Sequence, residues 1–310
     1  MIIPASVTNE FRLLTDEVDD EAEKALQELL AQTSGLDIDQ QREALHDVLP
    51  VLGDRFVSAS AEVSTVAFDA LMEIQEVKRP VATEIVDAPD SSRWHSLIGW
   101  GTSDRTLERG GIALMYSLLS GGLQKILTEI SADTMIGNAQ IQNEPMRSQR
   151  VPAAGCCAFC AMLASRFADY KSTRSAGEVV GRGMPVEATI LGYRANGTAI
   201  RKSGGQAKGI KTRGAQALGE SFHDDCRCKI VIVTEKNEAE LRTLADGYYD
   251  SYRDSADKVN DGLTLKVTDI SSEERLKNKY EWVQADGKSR NAKERTADIL
   301  TAMRLDLGVK

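Results

Sequence analysis

The stretch GCCAFCAMLASRF (residues 155–167) and the later stretch FHDDCRCKIVIV (residues 222–233) together contain all five cysteines of this 310-residue chain. The first stretch holds a C-x-x-C pair and the second an H-x-x-C-x-C group. Thiolates and imidazoles in two such closely spaced groups are the usual ligands of a tetrahedral structural zinc site. The candidate metal ligands are Cys157, Cys160, His223, Cys226 and Cys228.

More residues are available than the four positions that zinc prefers. Cys156 is adjacent to the first pair and would have to point away from it, so we do not expect it to bind. In the second group, His223 with Cys226 and Cys226 with Cys228 are both feasible pairs. A closed site of this kind is structural, and it would clamp the start of a helix at Cys160 to the start of a strand at Cys226.

Three other uses of the same residues stay open at this point. The thiols could be reduced without a metal, or they could serve a disulfide or redox function. A nucleophilic Cys157 or Cys160 could also act with His223 and either Asp224 or Asp225. Four cysteines in paired spacing are more than a nucleophile needs, so we expect no catalytic residue and no enzyme activity.

The remaining histidines and the charge give weaker signals. His46 and His95 lie on helical segments, where a lone histidine is usually an ordinary surface or core residue. The net charge of -9 is concentrated at the start of the chain, because residues 1–100 carry 20 acidic and 7 basic side chains. A solvated helical surface explains this excess of carboxylates.

Composition and targeting signals favour a protein made and kept in a cytoplasm. Hydrophobic residues make up 42% of the chain and charged residues 27%, which is ordinary for a soluble globular protein. The N-terminus lacks a basic region followed by an apolar run, so we expect no signal peptide. The longest apolar stretch, residues 111–123, is too short to span a bilayer. We therefore expect no membrane contact, and thiols that stay reduced and able to bind metal.

The periodicity predicts helices from about Ser6 to Ile141. Ser34-Gly35 should end the first helix, and Asp39 should cap the second. Pro50 should kink or restart that second helix. Ser103 should cap a further long helix, in which the pairs Gly110-Gly111 and Gly121-Gly122 predict breaks or close packing.

In the second half of the chain, the sequence predicts a small α+β module followed by a mainly helical tail. Residues 171–220 are glycine-rich and basic, which is typical of a loop or docking arm and would allow contact with DNA. The later elements should be a strand at 226–233, a helix at 235–257, a strand at 264–270, a helix from Ser271 to Gly287 with Glu274 in its capping box, and a last helix at 290–307.

The predicted fold is therefore mainly α. It has a helical N-terminal arm, a small α+β module clamped by metal, and a helical C-terminal tail. The expected domain boundaries give residues 1–141, 142–235 and 236–310.

The two cysteine stretches resemble a known family. The pattern C-x-F-C-x-M-L-A-S-R at 157–166, followed by F-H-x-x-C-x-C at 222–228, is similar to the Mu F-like head morphogenesis or minor capsid proteins, in the form found in tailed phages of actinobacteria. One departure lies after Arg166, where this chain reads Phe-Ala-Asp instead of the family's common Gly-Pro turn.

The resemblance implies a non-enzymatic structural protein of the virion, present in few copies. Such a protein would contact the portal or the major capsid protein, near the portal vertex or the inner capsid wall, during head assembly and genome packaging or delivery. It would pass through the host cytoplasm during assembly. The alternatives that remain are a zinc-containing nucleic-acid-binding module and a cysteine-dependent head maturation protease.

Overall fold

The computed structural model describes residues 4–77, 80–143, 146–153, 156–165, 190–193, 199–201, 226–261, 263–267, 280–283, 287–290 and 292–308. The protein is mainly α-helical, as the sequence predicts. The helices are α1 (Pro4–Thr33), α2 (Ile38–Ile74), α3 (Ser91–Gly101), α4 (Asp104–Ile141), α5 (Ala158–Ala164), α6 (Glu238–Asn260) and α7 (Ala292–Leu307). The strands are β1 (Arg147–Val151), β2 (Ile190–Tyr193), β3 (Ala199–Arg201), β4 (Lys229–Val233), β5 (Thr264–Val267), β6 (Tyr280–Val283) and β7 (Ser289–Arg290).

Helices α1 to α4 pack around one core made mostly of aliphatic side chains. Leu26 of α1, Leu45 and Leu49 of α2, and Trp94 of α3 are completely buried in it, together with Leu123 of α4. Burying one such side chain contributes about 1.5–3 kcal/mol. As the amphipathic repeat in the sequence predicts, each helix packs its apolar side into a shared core.

Helix α2 begins two residues earlier than the sequence suggests. The Asp37 carboxylate accepts hydrogen bonds from the backbone N–H groups of Asp39 and Gln40, at 3.1 and 2.9 Å. The Gln40 side chain in turn accepts from the Asp37 N–H at 3.3 Å, which completes a capping box. Asp39 was thus wrongly predicted as the cap, because the reciprocal bond from Gln40 is available only to Asp37.

Pro50 does not restart the helix, which runs continuously through it. A proline inside a helix removes one backbone hydrogen bond and costs roughly 3 kcal/mol. Buried side chains lie on both sides of Pro50, with Leu45 and Leu49 before it and Val57 and Ala61 after it. Packing of both halves of α2 into the same core offsets the local cost.

The two glycine pairs of α4 behave as the sequence predicts. Gly111 interrupts the helix with φ 59° and ψ -152°, a conformation that residues with a Cβ rarely adopt. Gly122 allows close packing instead, because a Cβ there would lie 2.2 Å from a methyl carbon of Leu97 in α3. Ser103 caps α4 as expected and accepts a hydrogen bond from the Thr106 N–H.

Strands β1 and β4 form an antiparallel two-stranded ribbon. Gln149 lies opposite Val231 at its centre, and all five residues of β4 are buried. The predicted strand in the second cysteine stretch is therefore confirmed, although its ladder begins only at Lys229. Strand β4 packs against α4, so the residues just before it are held close to the helical core.

The described residues form two compact units. One contains α1 to α4 with β1, β4 and the start of α6, and the other contains α5, β2, β3, β5 to β7, α7 and most of α6. In the second unit, β6 pairs antiparallel with both β5 and β7. Residues 280–283 were wrongly predicted as part of a helix, because these pairings give them strand structure. The expected domain boundaries stay a prediction.

Helices α6 and α7 of the second unit are joined by polar contacts. The Asp306 carboxylate accepts hydrogen bonds from Lys258 and from the Ser255 hydroxyl, and the Arg295 guanidinium donates to the Asn260 side chain at 2.7 Å. Hydrogen bonding to Lys258 holds the pKa of Asp306 below its usual value. Among the helices of the described residues, we find none with the length and hydropathy needed to cross a bilayer.

Candidate metal centre

Three cysteine sulfurs from the two sequence stretches lie together. The Sγ atoms of Cys160, Cys226 and Cys228 are all within 4.8 Å of one another. Each of the three residues is only about 1% exposed. Thiolates bound to one tetrahedral zinc ion at about 2.3 Å are separated by about 3.8 Å, so small side-chain adjustments suffice for ligation. We call these three residues the sulfur cluster, and they could bind a metal.

The donor chemistry of the sulfur cluster fits zinc. Three thiolates are soft ligands, which select zinc or other thiophilic ions over magnesium or calcium. Burial keeps solvent away from the donors and suits a closed structural site better than an open catalytic one. When bound, the ion would supply a cross-link between residues far apart in the chain.

Cys160 reaches the sulfur cluster from the short helix α5. Ala158, Ala161 and Ala164 of this helix are fully buried, which allows its backbone to approach its neighbours closely. Cys157 occupies the N-cap position of α5 with an extended backbone and is partly exposed. Cys157 is not a member of the group of three sulfurs found among the described residues.

The other predicted ligand, His223, lies outside the described residues, as do Asp224 and Asp225 of the possible nucleophile arrangement. The structure thus brings together three of the five candidate ligands, and a fourth ligand from Cys157 or His223 stays a prediction. Cys160 is a poor candidate for a nucleophile, because a thiol that is 1% exposed is closed to a protein substrate.

Basic residues alternate with the two cysteines that precede β4, and they bind carboxylates of α1. Lys229 Nζ lies 2.9 Å from the Asp19 carboxylate, and both side chains are only 1% exposed. The Arg227 guanidinium reaches Asp20 at 2.7 Å and Glu23 at 3.1 Å. Along the sequence Cys-Arg-Cys-Lys, the sulfurs therefore belong to the cluster while the intervening cations attach the same segment to α1.

Polar groups of α4 hold this segment from another direction. The Thr128 hydroxyl donates a hydrogen bond to the Cys226 carbonyl. The Gln124 side-chain amide donates to the Asp19 carbonyl at 2.9 Å, so it supports the partner of Lys229 as well. Thr128 and Gln124 are both buried. The backbone that carries Cys226 and Cys228 is therefore positioned by contacts with the helical core that do not involve a metal.

The buried pair of Asp19 and Lys229 is electrostatically costly but strongly coupled. Burial raises the pKa of Asp19, and the nearby Lys229 and Arg227 charges oppose that rise. Removing one member of such a pair leaves an uncompensated buried charge, which costs about 3–5 kcal/mol. The pair therefore makes the approach of β4 to α1 specific.

Sequence reasoning missed two features of this molecule. The first is the set of ion pairs that Asp19, Asp20 and Glu23 form with Lys229 and Arg227. The acidic run on α1 and the alternation of cations with cysteines are both visible in the sequence, but nothing local pairs them. The second feature is a contact between His46 of α2 and His95 of α3, whose Nδ1 atoms are 2.8 Å apart. Both histidines were interpreted as ordinary isolated residues, since nothing local links positions 49 residues apart.

The basic stretch 171–220 lies mainly outside the described residues. Its described part is an antiparallel pair, in which Tyr193 of β2 lies opposite Ala199 of β3. The possible contact of this stretch with DNA therefore stays a prediction.

A family model described as VG15 protein matches residues 3–255. The matched range covers more than half of the chain and includes both cysteine stretches and the acidic residues of α1. The chain belongs to this family, which is a family of phage proteins. No curated protein and no solved structure matched the chain.

Proposed function

We propose that this phage protein of the VG15 family is a minor capsid or head morphogenesis protein of a tailed phage. It acts without catalysis, through contacts with the portal, the major capsid protein or both, during head assembly and genome packaging or delivery. Its place is in the virion, at the portal vertex or inside the capsid. The family membership and the likeness of the two cysteine stretches to Mu F-like proteins support this proposal.

The observation that carries the non-enzymatic part of the proposal is the sulfur cluster. Its three members are about 1% exposed, and the segment of Cys226 and Cys228 is bound to α1 and α4 by the contacts of Arg227 and Lys229 and by Thr128. A site built in this way stabilises a fold. A head maturation protease would need a cysteine that a protein substrate can reach, and of the two candidate nucleophiles only the partly exposed Cys157 meets that requirement.

We further propose that the sulfur cluster holds one structural zinc ion. Cys160, Cys226 and Cys228 would be ligands, and Cys157 or His223 would supply the fourth. Elemental analysis of purified protein, combined with thiol counting, should find one zinc per chain and protected thiols. Protein that folds with no bound metal and fully reactive thiols would contradict this part.

The experiment on function uses the phage that encodes the protein. A phage with an amber mutation early in this gene, grown in a non-suppressing host, should yield defective heads or particles that fail to deliver DNA. Mass spectrometry of wild-type virions should find the protein in few copies. Normal infectious particles from the amber mutant would overturn the proposal.

Complementation links the function to the sulfur cluster. A plasmid copy of the wild-type gene should restore infectious particles, and a copy with Cys226→Ser should not. A copy with Cys156→Ser is the matched control, because this cysteine lies outside the group of three sulfurs. Equal rescue by the two variants would show that head assembly does not require an intact sulfur cluster.

A further inference from the structure

Two histidines from different helices form a contact that the proposed function does not use. The Nδ1 atoms of His46 in α2 and His95 in α3 lie 2.8 Å apart, and the ring centroids are 5.0 Å apart with the planes tilted by 37°. His95 is exposed and His46 is partly exposed, so ions in solution can reach the pair. We call these two residues the histidine pair.

The packing of α2 against α3 holds the histidine pair in place. Trp94, next to His95, donates a hydrogen bond from its indole N–H to the Asp54 carboxylate of α2 at 2.8 Å. The same indole lies directly over Gly53, where a Cβ would be 2.5 Å from the ring. The two imidazoles are thus brought together by the packing of the neighbouring Trp94 on α2, which lowers the entropy cost of binding a ligand between them.

The distance between the two nitrogens matches one coordination geometry better than another. Two imidazole nitrogens bound at about 2.0 Å and at a right angle to each other are about 2.8 Å apart, whereas a tetrahedral angle separates them by about 3.3 Å. Right-angle positions occur in the square-planar and tetragonal sites that Cu²⁺ and Ni²⁺ prefer with nitrogen ligands. The 2.8 Å separation fits the right-angle positions, and without a metal it is also the distance of a hydrogen bond between one protonated and one unprotonated imidazole nitrogen.

Charged groups around the pair are mixed in sign. Arg42 lies near His46 on α2, while the Asp47 carboxylate also acts on His46 and the Asp90 carboxylate at the start of α3 interacts with His95. Partial burial, with the neighbouring His95 and Arg42, holds the pKa of His46 below its usual value.

We propose that His46 and His95 form a second metal site, with nitrogen donors, for a divalent ion of square-planar or tetragonal preference such as Ni²⁺ or Cu²⁺. Both imidazoles bind through Nδ1, and water fills the remaining positions because the pair is open to solvent. The bound ion bridges α2 and α3. The site is independent of the sulfur cluster in both its residues and its donor type.

The test measures binding of Ni²⁺ alone to untagged full-length protein whose sulfur cluster has first been saturated with zinc. Isothermal titration at pH 7.5 should show one Ni²⁺ bound per chain. Loss of an outer-sphere partner alone costs about tenfold or more in metal affinity, so His46→Gln and His95→Gln, which each remove a direct ligand, should weaken Ni²⁺ binding by at least about tenfold. Zinc content should stay unchanged in both variants.

A variant on α3 that keeps every histidine and cysteine provides the matched control. Gly99→Ala should bind Ni²⁺ like the wild type, since nothing lies within 4 Å of the added Cβ and the pair stays intact. The proposal is overturned if wild-type protein binds no Ni²⁺, which would leave the contact as a hydrogen bond only. It is also overturned if either pair variant binds Ni²⁺ normally. Because zinc is measured in the same samples, failure here is distinguishable from failure of the sulfur cluster.

Discussion

The sulfur cluster and the histidine pair both join residues that are distant in sequence, and they do so by different means. The three cysteines are about 1% exposed, and the segment of Cys226 and Cys228 is bound to α1 and α4 by a buried ion pair and hydrogen bonds. The two histidines lie toward solvent and depend only on how α2 packs on α3. The comparison teaches that a metal bound at a buried site would contribute to the free energy of folding. A metal bound at an exposed site would instead be added to a fold that other contacts already stabilise.

The largest expected effect comes from removing a sulfur of the cluster. Cys226→Ser should abolish zinc binding and destabilise the protein by more than about 4 kcal/mol, because zinc binding contributes on the order of 10 kcal/mol in small structural zinc domains. Thermal unfolding and elemental analysis measure the two results. Cys156→Ser should match the wild type in both. If Cys226→Ser protein kept its zinc and its Tm, the sulfur cluster would be neither the zinc site nor a major source of stability.

The next effect tests the attachment of β4 to α1. Lys229→Met should cost about 3–5 kcal/mol, because the Asp19 carboxylate stays buried without its partner. Asp19→Leu combined with Lys229→Met should recover most of that loss, since both charges are removed together. Urea unfolding of the single and double variants measures the coupling.

Arg227→Gln is the matched control for the buried pair. Its contacts with Asp20 and Glu23 are partly exposed, so the loss should stay under about 1 kcal/mol. If Asp19→Leu with Lys229→Met were no more stable than Lys229→Met alone, the buried ion pair would not be what holds β4 to α1.

A smaller effect should separate the two sites. Gly53→Ala places a Cβ 2.5 Å from the Trp94 ring and should cost about 1–3 kcal/mol through overpacking. Because Trp94 is next to His95, Ni²⁺ binding should weaken while zinc content stays normal. Gly99→Ala on α3 is the control, since nothing lies within 4 Å of the added Cβ. Unchanged Ni²⁺ binding in Gly53→Ala would mean that Trp94 does not position the pair.

The smallest effect is a pH dependence of the histidine pair. The pKa of His46 is lowered in the folded state, so the unfolded chain binds more protons as the pH falls below about 6.5. The stability contributed by neutral His46 is present above that pH and is lost as the pH falls through the lowered pKa of the folded state. His46→Gln should flatten the change in Tm between pH 7.5 and 5.5 by less than about 2 °C, because the group is partly exposed and screened.

A matched pH series on Gly99→Ala, which keeps all three histidines, should follow the wild-type profile. If the Tm of His46→Gln falls as much as that of the wild type over this range, His46 contributes nothing to the pH dependence of stability.

The sequence predicted elements whose signals are local. Ser103 caps α4 through a bond to the nearby Thr106, and Gly111 breaks the helix through its own backbone conformation. Strand β4 was visible because a run of valine and isoleucine follows Cys228. Close spacing of cysteines is a local signal that suggests metal ligands. Three of the candidate ligands that it suggested lie together in the structure.

The features that sequence reasoning missed depend on distant parts of the chain. Residues 280–283 form a strand through pairing with β5 and β7, whereas the capping box predicted at Ser271 lies outside the described residues. Pro50 was tolerated because packing on both sides holds α2 together. The histidine pair and the binding of Lys229 to Asp19 both require knowing which helices are neighbours, and periodicity does not contain that information.

The alternation of cysteine and cation before β4 has a consequence for how such proteins can diverge. Inserting or deleting a single residue between Cys228 and Lys229 would shift Cys226, Arg227 and Cys228 relative to the β1–β4 ladder. The two cysteines would then be displaced from Cys160, and Arg227 would be displaced from the carboxylates of α1. Descendants of this chain should therefore keep this spacing as well as its cysteines and lysine, and genes that share the fold should align across residues 226–233 without gaps.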